Sequence, residues 1–287
     1  MPLKVLAVAL MAVLLLSACS PPARSVVVNS TVTSTTRAGA ELLDVITAAT
    51  PAGGLPLATL VGMVIPDQEA HDAIEHEIAS CMNEKGFDYL PVPYLPTDLF
   101  GERRYGITDE AQAARYGYDS PPSPTDALEE ELMARPPVDE TALFGDGATA
   151  SIDGGLGGVS TVRIGGCLQE GWGSVFGDYV AWSILFERIQ GLVGEAYVAA
   201  ETDAQVERAL SKWVACMAEA GYAVTSFEDA PYGGGSTAAV ADAHCNKTSE
   251  LAGTWAAVEA EQQWSLLLAH GDALFTLIDD TTIATAP

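Results

Sequence analysis

Apolar positions along this chain recur mostly at helical rather than strand spacing. After Pro66, the residues Ala70, Ile74, Ile78, Cys81 and Met82 share one face of PDQEAHDAIEHEIASCMNEKGF. This predicts a helix with Asp67 as its cap and Gly86 as its stop. The pattern returns after Thr202-Asp-Ala-Gln205, which has capping-box form: Val206, Leu210, Trp213, Val214 and Met217 make a stripe before Gly221. Helical spacing also fills Phe176 to Ala200 and the stretch from about Ala238 to Ile278. In the latter, Trp255, Val258, Gln262 and Leu266 mark one face, and Gly271 is expected to break the helix. Residues 41–65 are interrupted by Pro51, Gly53, Gly54 and Pro56, with a short helix expected from Glu41 to Ala49.

Residues 91–147 read as mostly irregular. Pro91, Pro93 and Pro96 enforce an extended entry, Thr108 is expected to cap a short helix, and Asp126 to Ala134 supplies another turn or two. Residues 148–152 (ATASI) and 160–164 (STVRI) flank DGGLGGV and predict a β-hairpin. Its glycines do not lead from a strand into a helix, so they are turn residues and form no phosphate loop. The expected fold class is mainly α: an irregular helical domain with one small β-hairpin, stapled by two disulfides.

Two helix ends match closely, CMNEKGF (81–87) and CMAEAGY (216–222). If Gly86 and Gly221 are left-handed residues just past the helix, then Phe87 and Tyr222 follow them. Met82 and Met217 then stand at the positions those aromatics contact in a Schellman motif. A shorter third copy runs from Cys167 through Gly171 to Trp172. The expected role of Met82, Gly86, Phe87, Met217, Gly221 and Tyr222 is structural.

Residues 1–18 have the form of a signal peptide. Lys4 is followed by the apolar run Val5 to Leu16, 12 residues long and too short to span a bilayer. It ends in Leu16-Ser17-Ala18-Cys19, which resembles the bacterial lipobox. That resemblance implies acylation of Cys19 and cleavage before it, giving enough chains for stable membrane anchoring. Residues 19–40, rich in Ser, Thr and Val, read as a lipidated tether averaging roughly 25 Å end to end. Residues 41–287 form the extracytoplasmic helical domain, divisible into halves at 66–200 and 201–287. Cys81, Cys167, Cys216 and Cys245 remain. An even number in an exported chain implies two disulfides in one of three pairings. Cys81–Cys167 with Cys216–Cys245 is favoured, because each matching helix end is then tied to the next cysteine. These bridges would contribute about 4.6 and about 3.6 kcal/mol from loop entropy, both upper-end figures. No C-x-x-C pair points to zinc or redox catalysis.

Composition narrows the partners. The chain has 287 residues, 48% of them apolar, enough for a substantial core. Thirty-nine acids against 13 bases give a formal charge of -26. A polyanion would be repelled, so nucleic acid is excluded as a partner.

The order of blocks carries a resemblance. Lipobox, tether, CMNEKGFDYLPV, RYGITDEAQAARYGY, ALFGDG, GGCLQE, WVACMAEAGY and a final C…W…VEAEQQW segment follow one another over most of residues 66–268. This resembles a group of secreted or lipid-anchored proteins of actinomycetes. The resemblance carries over no catalytic or ligand residue.

Candidate chemistry is sparse. No H-E-x-x-H, G-x-S-x-G, S-x-x-K, Walker or EF-hand spacing is present. His71 with Glu75, and Asp72 with His76, are i,i+4 pairs suited to a metal but more often part of a solvated face. His244 adjoins Cys245, and Glu129-Glu130-Glu131 and Asp279-Asp280 are charge runs. Arg103-Arg104 with Tyr94, Tyr105, Tyr116 and Tyr118 offers a recognition patch or simply packs a loop-rich region. No catalytic, cofactor-binding or metal residue is assigned. The leading reading is a lipoprotein on the outer face of the cell membrane, held there through acylated Cys19. It acts as a non-catalytic binding or structural module for an unidentified envelope partner. The alternatives are an envelope hydrolase using paired carboxylates and a transporter-associated solute receptor. Absence of alternating strands and helices disfavours the receptor.

Overall fold

In the computed structural model, residues 37–279 and 281 are described, apart from 97–99, 102, 124, 136 and 156–157. The signal peptide, Cys19 and the tether up to residue 36 lie outside them. The chain is mainly helical, with one two-stranded antiparallel sheet and two disulfides. Its helices are α1 (Arg37–Ala49), α2 (Pro56–Val64), α3 (Gln68–Glu84), α4 (Glu110–Tyr116), α5 (Asp126–Met133) and α6 (Glu140–Phe144). After the hairpin β1 (Thr149–Gly155) and β2 (Gly158–Arg163) come α7 (Gly166–Phe176), α8 (Tyr179–Glu201), α9 (Ala204–Glu219), α10 (Gly235–Ser249) and α11 (Leu251–Asp279). None of the described helices is long and apolar enough to cross a membrane.

Aspartate side chains cap α3, α4, α6, α8 and α9, and two of the three caps expected from the sequence are shifted by one residue. Asp67 accepts from Ala70 N, as expected. For α4 the cap is Asp109, not Thr108, and for α9 it is Asp203, not Thr202. The Asp203 carboxylate accepts from Gln205 N at 2.7 Å, while the Thr202 hydroxyl donates back to the end of α8. A charged acceptor outcompetes a hydroxyl for the first free amides of a helix. The first helix begins at Arg37, so the last four residues of the expected tether are helical.

The spine is the pair α8 and α11, of 23 and 29 residues, about 35 and about 44 Å long. Leu185, Ile189 and Leu192 of α8 pack with Leu267, Leu274 and Ile278 of α11, beneath α1 and α2. Further along, Ala200 of α8 meets Leu251, Trp255 and Val258 at the start of α11, together with α9 and Cys245 of α10. The two helices therefore run antiparallel. A third cluster joins α3, α6 and α7 to Tyr179 and Trp182 at the start of α8.

Two expectations for α11 are corrected. Gly271 does not break the helix; it is buried where α1 crosses, with Leu43 opposite. Gly39 of α1 faces Asp272 there, and a β-carbon would displace its carboxylate and lie 3.1 Å from its backbone nitrogen. The buried row also leaves Gln262 and Leu266 half-buried and runs instead through Glu259, Gln263 and Leu267. Hydropathy hides this row, because two of its members are polar and become core residues only through partners elsewhere in the chain.

Both matching helix ends are Schellman stops. Gly86 and Gly221 have φ of 87° and 93°. Phe87 N donates to Met82 O at 3.0 Å, and Tyr222 N to Met217 O at 2.9 Å. Tyr222 packs against the cluster containing Met217, whereas Phe87 is 37% exposed. The third copy has another use. Gly171 lies inside α7, where a β-carbon would sit 2.5 Å from Ile78 Cγ1 and 2.9 Å from Ile74 O. It is the contact that lets α7 lie against α3. The Cys81–Cys167 bridge joins the same two helices, and Cys216–Cys245 joins α9 to α10.

Candidate functional site: an aromatic cleft beneath a proline strap

Beyond the Gly86 stop the chain reads YLPVPYLP from Tyr89 to Pro96. Three prolines set φ and push the residues before them out of the helical region, so this stretch runs as an extended strap. An isolated extended segment leaves its backbone groups without ladder partners, and here side chains supply them. Val92 N donates to Glu75 Oε2 at 2.7 Å, and His71 Nε2 donates to Val92 O at 2.9 Å. Arg135 Nη1 donates to the carbonyls of Leu90 and Pro91, both at 2.9 Å, and the Tyr89 hydroxyl donates to Glu75 at 3.0 Å. His71 and Glu75, the pair with metal-compatible spacing, are thus a clamp on the strap. Among the described residues no group of three His, Cys, Asp or Glu is placed to hold a metal. Asp72 and His76 are exposed.

Opposite the strap stands a wall of rings. Trp172 of α7 lies 4.2 Å from Trp182 of α8, centroid to centroid, and Trp182 stacks on Phe186, one turn on, at 5.2 Å and 10°. The Trp182 indole donates to Val64 O at 2.8 Å, which fixes the ring against the end of α2. Strap and wall enclose a cleft of about 280 Å³, lined by Ile65, Pro66, His71, Val92, Pro93, Tyr94, Leu95, Trp172, Trp182 and Phe186. Half of these residues carry aromatic rings. Tyr94 meets the His71 imidazole edge to face at 5.5 Å. Its hydroxyl has no hydrogen-bond partner among the described residues. The Cys81–Cys167 bridge and the Gly171 contact bring α3 and α7 together, and so put His71 and Trp172 on one cleft.

Glu75 has an unusual setting. It is 8% exposed, and among the described residues its carboxylate takes hydrogen bonds from the neutral Tyr89 hydroxyl and the Val92 amide. No Lys, Arg or His of the described residues pairs with it. Burial and then the Glu75 charge push the Tyr89 phenol well above its ordinary range.

A second buried carboxylate has the opposite setting. Glu259 is fully buried, and Arg104 grips it with Nε at 2.9 Å and Nη2 at 2.7 Å. The Tyr105 hydroxyl and the Gln263 amide also donate to it, both at 2.8 Å, and Gln263 accepts from Leu57 N. The Arg104 guanidinium lies 4.8 Å from the centre of the Tyr197 ring. This satisfied network ties α2, α8 and α11 to the loop before α4.

The expected Arg103-Arg104 and tyrosine patch is therefore not assembled. Arg104 and Tyr105 turn inward to Glu259. Arg103 donates to Tyr118 O, Tyr116 lies against Arg115, and Tyr94 belongs to the cleft. Tyr118 is half-buried, with its hydroxyl enclosed near Asp242, whose carboxylate accepts from the Trp213 indole at 2.8 Å. Burial raises Asp242 above the usual carboxylate range, against that hydrogen bond. His244 reaches Glu110 at 3.4 Å while Cys245 is in its disulfide. Glu131 pairs with Arg135 and the rest of its run is exposed; Asp280 lies outside the described residues.

Sequence reading missed Trp172, Trp182, Phe186 and Glu259 as members of sites. The strap's prolines and the i,i+4 spacing of Trp182 and Phe186 were visible signals. Nothing in the sequence shows that they face each other. Compared with family models, curated proteins and solved structures, the chain matches none.

Proposed function

We propose that this protein is a lipid-anchored, extracytoplasmic binding module whose ligand site is the cleft between the proline strap and the Trp172–Trp182–Phe186 wall. The observation that carries this reading is the clamping of the strap. Four side-chain hydrogen bonds hold its backbone, so the cleft stands open without a ligand to order it, and little entropy is lost on binding. Its dimensions and lining suit a small molecule: apolar walls with a few fixed polar atoms. The signal peptide, the lipobox at Cys19 and two long-range disulfides support an address outside the cytoplasm.

The site is tested with the full chain in a small-molecule thermal-shift screen followed by indole fluorescence. The expected result is a ligand that raises the melting temperature and perturbs tryptophan emission, with both effects lost in Trp172→Leu. Ligands that act equally on the wild type and on Trp172→Leu would place binding elsewhere. The address is tested by Cys19→Ser, which should move the protein from the detergent phase to the aqueous phase or stall its processing. An intact mass without a diacylglycerol adduct, in a host with the lipoprotein pathway, would refute the anchor.

A further inference from the structure

We infer that the cleft selects a small, weakly hydrated organic cation, of the quaternary or tertiary ammonium class. The inference rests on the cleft being the binding site and adds the charge of its ligand. Three observations lead to it. The wall and strap present indole, phenyl and phenol rings around one space, and ring faces attract cations most strongly where water is displaced. Glu75 is a buried carboxylate with no ion-pair partner among the described residues, bonded to Val92, which itself lines the cleft. Buried charge without an opposite charge is costly, and a cation bound one residue away would offset that cost. The chain's formal charge of -26 draws cations and repels anions. Arg135, the cation bonded to the strap, is committed to the Leu90 and Pro91 carbonyls and to Glu131. A compact trimethylammonium group fits a space of about 280 Å³ with room for a short hydroxylated or carboxylated tail. Tyr94, which lines the cleft, offers that tail a hydroxyl.

The test compares choline with its uncharged isostere 3,3-dimethyl-1-butanol, alongside tetramethylammonium chloride, by calorimetry on the full chain. Choline and tetramethylammonium should bind saturably, and the isostere at least about tenfold more weakly. Glu75→Gln keeps an acceptor for Val92 N and removes the charge. It should weaken choline about tenfold and leave the isostere unchanged, with a melt close to that of the wild type. If Glu75→Gln fails to fold, Tyr94→Leu replaces it, because that half-buried ring can be removed without unpairing the strap; choline should again weaken. Equal affinity for choline and the isostere would overturn the cation inference and leave a neutral apolar site, so the binding-module reading would stand. No binding of either cation would also overturn it, and the small-molecule screen would then decide separately whether the cleft binds anything.

Discussion

The two stapled halves begin alike and end differently. Each has an Asp-capped helix closed by a C-M-x-x-x-G-aromatic stop, with its cysteine joined to a downstream helix. Around α3 and α7 the product is an open cleft and a buried Glu75 that no cation pairs with among the described residues. Where α11 meets the loop before α4, the buried Glu259 is gripped by Arg104 and two neutral donors. The same chemical group is tied to an arginine in one place and held by neutral donors, behind the strap of a cleft, in the other. Burial alone does not give a carboxylate a role; the partner set does.

Removing the bridges should have the largest effect on this comparison. Cys81→Ala with Cys167→Ala should destabilise by about 4.6 kcal/mol, and Cys216→Ala with Cys245→Ala by about 3.6 kcal/mol, both upper-end values from loop length. Urea unfolding of the two double mutants gives the order directly. A larger loss at 216–245 would mean that native packing, not loop length, sets these contributions.

Arg104→Met should cost about 3–5 kcal/mol, because it strands a buried charge with only neutral donors. Glu75→Gln should cost about 1 kcal/mol or less, since the strap keeps its acceptor. Denaturant midpoints of the two mutants sharpen the contrast. A comparable loss at Glu75 would show that its charge holds the strap in place.

One substitution in three settings separates the roles of glycine. Gly171→Ala forces a β-carbon against Ile78 and the backbone of α3, at about 1–3 kcal/mol, and should also loosen the cleft. Gly86→Ala and Gly221→Ala meet open space but keep positive φ, at about 1 kcal/mol each, without disturbing the cleft. Thermal melts paired with ligand titration distinguish them. An unchanged melt for Gly221→Ala would refute the stop.

The smallest effect is a pH dependence at Asp242. Burial raises its folded-state value above the ordinary 3.8, so the folded chain holds that proton more tightly than the unfolded chain does. This contribution is present at pH below 3.8 and is lost as pH rises through the raised value. Asp242→Asn should therefore melt higher than wild type at neutral pH, with the difference shrinking on acidification. Parallel melting curves at every pH would count against a buried, proton-hungry Asp242.

Local chemistry accounts for what was legible in advance. Helix spacing, the Asp67 cap, left-handed glycines after Cys-Met and a glycine-rich hairpin act over a few residues, so the sequence alone determined these elements. Four cysteines, two of them in matched contexts, were enough to favour the pairing that the structure has. Tertiary structure decided the rest. Gln263 and Glu259 are core residues only because Leu57 and Arg104, far off in sequence, reach them. Gly171 and Gly271, which look like breaks, are contact points only because another helix crosses there. The cleft needs His71, Tyr94, Trp172 and Trp182, more than a hundred residues from first to last, to be brought within a few ångströms. Periodicity records which face of a helix is apolar; which partner that face meets depends on packing between distant segments, and that is where the candidate site arises.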